Sequence, residues 1–280
     1  MWGHSKLCST SYELSVLRTF GGTICSVDSS DVRDVVLHIG THKTGTTSFQ
    51  TTLAASAASL ASHGVHVFQS GLTKRTSWSH ELALISLRSE LNIPLRSMFP
   101  DSSLPSMQRQ MLQNCISQMQ SPARRVVASH EALSFIRTRQ EVERLVEALD
   151  GRVCKVVCVL RDAESFLQSW KNQLTKTKHA TSSAHFESFM NTDPDSWIVD
   201  WDELIGVYAG VLGHEAVTVL SYERETQNHG TIINALWSSC GLPESLRPNH
   251  SAKWLNSSHS VNHLSEVRFA KSIGKDFTQR

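Results

Sequence analysis

The stretch DVVLHIGTHKTGTTS, residues 34–48, joins a buried-strand pattern to a loop rich in glycine and threonine. Asp34–Ile39 is apolar and rich in β-branched residues, which is typical of a buried strand in a parallel sheet. Gly40–Gly45 then interrupts the apolar run. Beyond this loop, apolar residues recur at helical spacing as far as the helix-stopping Gly64: Phe49, Leu53, Ala57, Leu60 and Ala61. The stretch therefore predicts a strand, a tight loop and a helix.

The same order of elements recurs along the chain. At Val153–Leu160 a strand pattern leads into a helical stripe of Phe166, Leu167, Trp170 and Leu174. Shorter apolar runs predict three more strands, at Val65–Phe68, Arg125–Ser129 and Val217–Leu220. One of the helical stripes between them is Met107, Met111, Leu112, Cys115 and Met119. The alternation predicts an α/β fold with a doubly wound, mainly parallel sheet and helices on both faces, as in P-loop NTPases.

Composition and charge exclude several classes of protein. The 280 residues carry 27 basic and 26 acidic side chains, and a net charge of +1 argues against bulk nucleic-acid binding. No apolar run approaches the roughly 18 residues of a membrane span, and residues 1–20 lack a signal-peptide core, so we expect a cytoplasmic protein without an integral membrane segment. The six cysteines form no C-x-x-C pair, and we predict no metal site. We expect an N-terminal extension at 1–32, one α/β domain at 33–246 and a polar tail at 247–280.

The loop between the first strand and its helix has the features of an anion-binding site. Backbone N–H groups of the loop and the first helical turn converge there, the helix dipole adds about half a positive charge, and Lys43 adds a full one. Three threonines add hydroxyl donors: Thr44, Thr46 and Thr47. Gly40 and Gly45 have the spacing of a Walker A loop, but the lysine precedes Gly45, and this displacement weakens a nucleoside-triphosphate interpretation.

The segment HKTGTTS after a hydrophobic strand resembles the loop with which sulfotransferases bind the 5′-phosphosulfate of 3′-phosphoadenosine 5′-phosphosulfate (PAPS). In that family a second strand ends in an arginine, and a serine eight residues later joins it around the 3′-phosphate. Here the strand VVCVL ends in Arg161, and Ser169 follows on the predicted helix. The resemblance implies a donor site made of Gly40, His42, Lys43, Thr44, Gly45, Thr46, Thr47, Arg161 and Ser169.

Softer matches extend the resemblance over most of the chain and indicate a bacterial-type soluble member of the family. They are Ser129-His130-Glu131, Gln173, Lys176 and Ser221-Tyr222-Glu223. The resemblance implies that PAPS is the co-substrate and that no metal is required. It also implies transfer of the sulfuryl group to a hydroxyl or amine of a small-molecule, carbohydrate or lipid acceptor.

Sulfuryl transfer needs a positive charge beside the departing phosphate and a base for the proton of the acceptor. Lys43 is the natural source of the charge. Three candidate bases lie at the predicted carboxyl edge of the sheet, where ligands bind in open α/β folds. His130 and Glu131 directly follow the strand at 125–129, and His80 opens a helix. Strand alternation turns one of the adjacent pair away, and we favour the His130–Glu131 pair as the source of the base.

Two other functions fit parts of the sequence. A P-loop kinase or nucleotide hydrolase would use Lys43 and Mg-ATP, with Asp162 as its Walker B carboxylate. A non-catalytic protein on the same fold would bind a nucleotide or a partner without turnover, since a fold does not establish a reaction.

Overall fold

The computed structural model describes residues 34–248, except 74–77, 92, 100, 102–103 and 177–187. The predicted extension at 1–32 and most of the tail at 247–280 lie outside the described residues. The strands are β1 (Asp34–His38), β2 (Val65–Val67), β3 (Arg125–Ser129), β4 (Val153–Leu160) and β5 (Val217–Ser221). They form one sheet in the order β2-β3-β1-β4-β5, and each neighbouring pair is parallel. The predicted parallel sheet is confirmed.

Helices connect the strands. Within the described residues they are α1 (Thr46–Ser62), α2 (His80–Ser86), α3 (Pro94–Met98), α4 (Pro105–Met119), α5 (Arg139–Ala148), α6 (Ala163–Lys176), α7 (Trp201–Leu212), α8 (Tyr222–His229) and α9 (Ile232–Ser239). A short 3₁₀ helix at Glu131–Phe135 follows β3. In the part of the chain that the structure describes, no helix has the length and apolar character needed to cross a membrane.

Helices pack on both faces of the sheet because the side chains of its strands alternate between two cores. On the central strand β1, Val35 and Leu37 belong to one core, and Val36 belongs to the other. The first core contains buried residues of α2, α4, α5, α6 and α7, and the second contains residues of α1 and α9. The prediction of a doubly wound sheet is therefore confirmed.

The strand order places the loops after β1, β3 and β4 side by side. The chain first leaves β1 for the β2 and β3 side of the sheet and later enters β4 on the other side of β1. Two backbone hydrogen bonds continue the sheet into these loops: Thr41 N–H donates to the Val159 carbonyl (2.9 Å), and His130 N–H donates to the His38 carbonyl (3.0 Å). This change of direction is where open α/β sheets bind ligands.

The sequence predicts that the apolar stripe of α4 faces the core, and this is wrong for one of its residues. Leu112 on α4 is 41% exposed, whereas Met111, Cys115 and Met119 are buried. These three residues follow a strict four-residue spacing, so α4 buries only a narrow stripe, and Leu112 lies about 100° around the helix from Met111.

Candidate active site

The loop between β1 and α1 owes its shape to left-handed backbone at two glycines. Gly40 has φ +92° and Gly45, the N-cap of α1, has φ +84°. A β-carbon at Gly45 would lie 2.7 Å from Cγ2 of Ile232, and one at Gly40 would lie 3.0 Å from Cα of Glu131. Both positions therefore favour glycine for its conformation and for its lack of a side chain. The close approach also brings Glu131 against the start of the loop.

Hydroxyl groups hold the loop from within. The Thr44 and Thr46 hydroxyls donate to the Thr41 carbonyl, at 2.6 and 3.1 Å. The Thr41 hydroxyl donates in turn to the Val159 carbonyl on β4, at 3.1 Å. The hydroxyl hydrogens of Thr44 and Thr46 are therefore used inside the loop in this structure, whereas the Thr47 hydroxyl makes no hydrogen bond to another described residue. Thr41, which the sequence analysis did not select, is the centre of this network.

Three cations from different elements approach one another at the mouth of the loop. Arg161, directly after β4, places Nη1 3.4 Å from the Lys43 carbonyl oxygen. Burial lowers the pKa of Lys43, and the positive charges of Lys176 and Arg161 lower it further. The guanidinium of Arg161 also lies over the Tyr222 ring, 5.2 Å from its centroid. The loop, the end of β4 and the end of α6 thus build one cationic region, as an anion site requires.

Three other residues named in the sequence analysis lie on or next to the elements that follow β4 and β5. Oε1 of Glu223 lies 3.7 Å from Nε of Arg161, so the two side chains form an ion pair. Ser169 lies half-buried on α6. The Asp162 carboxylate is exposed and accepts the backbone N–H of Ser165 (2.9 Å), so it caps the start of α6.

His42 anchors the loop through its ring. The ring stacks on Phe135 and meets Trp170 edge-on, with 4.7 Å between the centroids in both pairs. Burial lowers the pKa of His42 to about 4, so the ring is neutral at physiological pH. These contacts tie the loop to the 3₁₀ helix and to α6, two elements that carry other residues of the site.

The structure brings two of the three candidate bases into direct contact. Nδ1 of His80 lies 2.9 Å from Nε2 of His130, and both residues are buried. The backbone N–H of Ala132 donates to Nδ1 of His130 at 3.1 Å. Because a backbone N–H can only donate, neutral His130 carries its proton on Nε2 and donates it to Nδ1 of His80. Neutral His80 then carries its proton on Nε2, and burial lowers the pKa of each histidine to about 3.

Glu131, the third candidate, begins the 3₁₀ helix beside them. Its Oε2 accepts a hydrogen bond from Nε2 of Gln50 at 3.2 Å, and the same amide group donates to the Ser129 carbonyl at 3.1 Å. The negative charge of Glu131 partly opposes the lowering of the Lys43 and His80 pKa values that burial causes, so the carboxylate lies within electrostatic range of both. Strand alternation does not separate His130 from Glu131, because β3 ends at Ser129.

Gln50 is a residue that the sequence analysis missed. It is fully buried on α1 although its side chain is polar. The sequence could have indicated a role for Gln50, because a polar glutamine occupies a core-facing position of the helix that starts at the anion loop. In the described part of the chain, no group of three or more histidine, cysteine or acidic side chains is placed to hold a metal ion.

Comparison with known proteins finds a matching family model and two similar solved structures. A family model described as a sulfotransferase domain matches residues 33–276. The crystal structure of a sulfotransferase from Alicyclobacillus acidocaldarius matches with a TM-score of 0.51 and 13% identity, over 87% of this chain and 97% of that one. A sulfotransferase domain from the curacin biosynthetic pathway matches with a TM-score of 0.40 and 11% identity, over 76% of each chain. No curated protein matches the sequence.

Proposed function

This chain belongs to the sulfotransferase domain family, and we propose that it moves a sulfuryl group from PAPS to a hydroxyl or amine of a small-molecule, carbohydrate or lipid acceptor. The observation that carries the proposal is the 3.4 Å approach of Arg161 to the Lys43 carbonyl. This contact brings the two predicted anion-binding motifs together, which supports a donor that carries a phosphosulfate and a separate 3′-phosphate. The cytoplasm is our proposed location.

In this proposal the two motifs divide the donor between them. The loop amides, Lys43 and the Thr47 hydroxyl hold the phosphosulfate at the N-terminus of α1. Arg161, a planar and permanently charged fork, holds the 3′-phosphate together with Ser169. Lys176 adds a further positive charge near Lys43.

We propose that these side chains supply the positive charge that Mg²⁺ supplies in phosphoryl-transfer enzymes. Two groups that a P-loop kinase would turn toward the metal are engaged elsewhere in this chain. Asp162 caps α6, and the Thr44 hydroxyl donates to the Thr41 carbonyl. The kinase interpretation is therefore the weaker one.

The transfer is a single displacement at sulfur. A lone pair of the acceptor attacks the sulfur atom while the bond from sulfur to the bridging phosphate oxygen breaks. The electron pair of that bond stays on the phosphate, which leaves as 3′-phosphoadenosine 5′-phosphate (PAP). Lys43 stabilises the negative charge that grows on this oxygen, and the acceptor proton passes to a base.

Glu131 is the base in our proposal. The Ala132 N–H blocks Nδ1 of His130, and the proton on Nε2 of His130 blocks Nδ1 of His80. In these tautomers neither histidine offers a free nitrogen lone pair to the site. The Glu131 carboxylate offers acceptor oxygens, and Gln50 donates a hydrogen bond to one of them.

The proposal is tested by separating turnover from donor binding. We expect Lys43→Ala and Glu131→Gln each to slow PAP release from PAPS, with methanol and methylamine as small acceptors, by about 100-fold or more. We expect Glu131→Gln to bind PAP like the wild type in calorimetry, because its change lies on the acceptor side. Lys171→Ala on the exposed face of α6 and Glu143→Gln on the surface of α5 are matched controls. Full turnover in either Lys43→Ala or Glu131→Gln would remove that residue from the mechanism.

A further inference from the structure

We propose that the acceptor group is a hydroxyl and not an amine, because His80 donates a hydrogen bond to the acceptor atom while Glu131 takes its proton. This inference rests on the proposed function and narrows it to O-sulfation. It follows from the proton positions in the His80–His130 pair and from the number of lone pairs on the acceptor atom.

The first step concerns the free nitrogen of His80. The chain from Ala132 N–H through His130 leaves the proton of His80 on Nε2. No other described residue makes a hydrogen bond with Nε2 of His80. This nitrogen also keeps some exposed surface, although the residue as a whole is buried. His80 thus presents an unpaired N–H donor that the protein does not fully enclose, on a residue close enough to Glu131 to feel its charge.

The second step concerns the rigidity of this donor. Trp78 and Phe99, both half-exposed, contact the His80 ring, with centroid distances of 5.4 and 5.5 Å. Turning the ring over would break the 2.9 Å hydrogen bond to His130. The reversed tautomer would set two N–H groups against each other at Ala132. The pair therefore fixes the direction of the donor, and His130 is a positioning residue that acts through His80.

The third step is the chemistry of the acceptor atom. A hydroxyl oxygen has two lone pairs, so one accepts the His80 hydrogen bond and the other attacks sulfur, while the O–H proton passes to Glu131. The products are a sulfate ester, PAP and a protonated Glu131, which later releases the proton to water. A neutral amine has one lone pair, which the His80 N–H would occupy, and an ammonium has none.

The positive charges beside the site also favour a hydroxyl acceptor over an amine. An ammonium acceptor would approach the positive charges of Lys43, Arg161 and Lys176. These three charges lie close together, since Lys176 and Arg161 add to the lowering of the Lys43 pKa that burial causes. A neutral hydroxyl meets no such repulsion.

The test uses acceptors small enough to enter any sulfotransferase site. Wild-type enzyme is given PAPS with equal concentrations of methanol and methylamine, and methyl sulfate and N-methylsulfamate are measured by mass spectrometry. We expect methyl sulfate to exceed N-methylsulfamate by at least about 100-fold, the scale on which an unmatched hydrogen-bonding group is rejected. Comparable or greater transfer to methylamine would overturn the inference.

Variants of His80 test the donor itself. His80→Leu removes the N–H that orients the acceptor and is expected to slow methyl sulfate formation by about 100-fold. His80→Gln places an amide N–H near the same position and is expected to keep a larger share of the rate. His63→Leu, at the far end of the 17-residue helix α1, is the matched control. An unchanged rate in well-folded His80→Leu would also overturn the inference.

The two proposals fail in distinguishable ways. If the wild type does not bind PAP, the donor assignment fails and the proposed function with it. If it binds PAP and transfers to methylamine but not to methanol, only the hydroxyl inference fails. Should His80→Leu not fold, which thermal unfolding and PAP binding reveal, the wild-type competition between methanol and methylamine still decides.

Discussion

At the scale of single residues, the site depends on where protons and β-carbons are placed. The Ala132 N–H determines the tautomers of two histidines, and the missing side chain of Gly45 lets the start of α1 approach α9. The sequence identifies these residue types, but their roles depend on contacts between distant parts of the chain. His80 and His130, for example, lie 50 residues apart.

Gly45→Ala is expected to lower the free energy of unfolding more than Gly151→Ala does. Both glycines have left-handed backbone, with φ +84° and +70°, but a β-carbon has open space at Gly151 and meets Ile232 at 2.7 Å at Gly45. The shared backbone cost is about 1 to 2 kcal/mol, and the clash adds about 1 kcal/mol or more. Urea unfolding measures the difference. Equal losses in the two variants would show that the contact with Ile232 relaxes without cost.

At the scale of elements, strand patterns predict well and helix faces less well. Arg125–Ser129 and Val153–Leu160 match β3 and β4 at both ends, because each contains adjacent valines and is bounded by polar residues. The prediction for Leu112 is wrong because periodicity does not tell how wide a stripe the neighbouring elements cover. The 3₁₀ helix at Glu131–Phe135 carries no periodic signal, since it is too short.

The candidate site shows the same division at the level of elements. The anion loop could be predicted because one continuous segment supplies its glycines, its lysine and the helix N-terminus. The approach of Arg161 to the loop required the order of the strands, which the sequence leaves open. The Gln50–Glu131 contact joins α1 to the 3₁₀ helix, and local sequence does not specify it.

At the scale of the whole molecule, the buried histidines predict a loss of stability in mild acid. Burial lowers the pKa of His38, His80 and His130 to about 3 in the folded protein, against an ordinary value near 6.5. The unfolded chain therefore binds more protons below pH 6.5, and the free energy of unfolding falls as pH falls from 6.5 toward 3. Each histidine contributes about 1.4 kcal/mol per pH unit within this window.

Urea unfolding at pH 7.5, 6.5, 5.5 and 5.0 measures this loss. Glu81, whose pKa is raised by burial, acts in the opposite sense, but it is one group against four histidines, because burial also lowers the pKa of His42 to about 4. We expect a steep decline in the unfolding free energy below pH 6.5 and little change above it. A free energy that stays constant from pH 7.5 to 5.0 would contradict burial of these rings in their neutral form.

The central claim is that Arg161 and the Lys43 loop form one donor site, with the arginine on the 3′-phosphate. The most direct test is calorimetric binding of PAP and of adenosine 5′-phosphate, which lacks the 3′-phosphate, to the wild type, Arg161→Ala and the surface control Arg139→Ala. Each titration is run with and without Mg²⁺, with ATP as a competitor.

We predict tight, metal-independent binding of PAP that Arg161→Ala weakens by about 10-fold to 100-fold, the scale of a charge-assisted hydrogen bond. Binding of adenosine 5′-phosphate should be nearly the same in all three proteins. Equal losses for both ligands, or none for PAP, would contradict the assignment of Arg161 to the 3′-phosphate. Preference for Mg-ATP over PAP would contradict the donor itself.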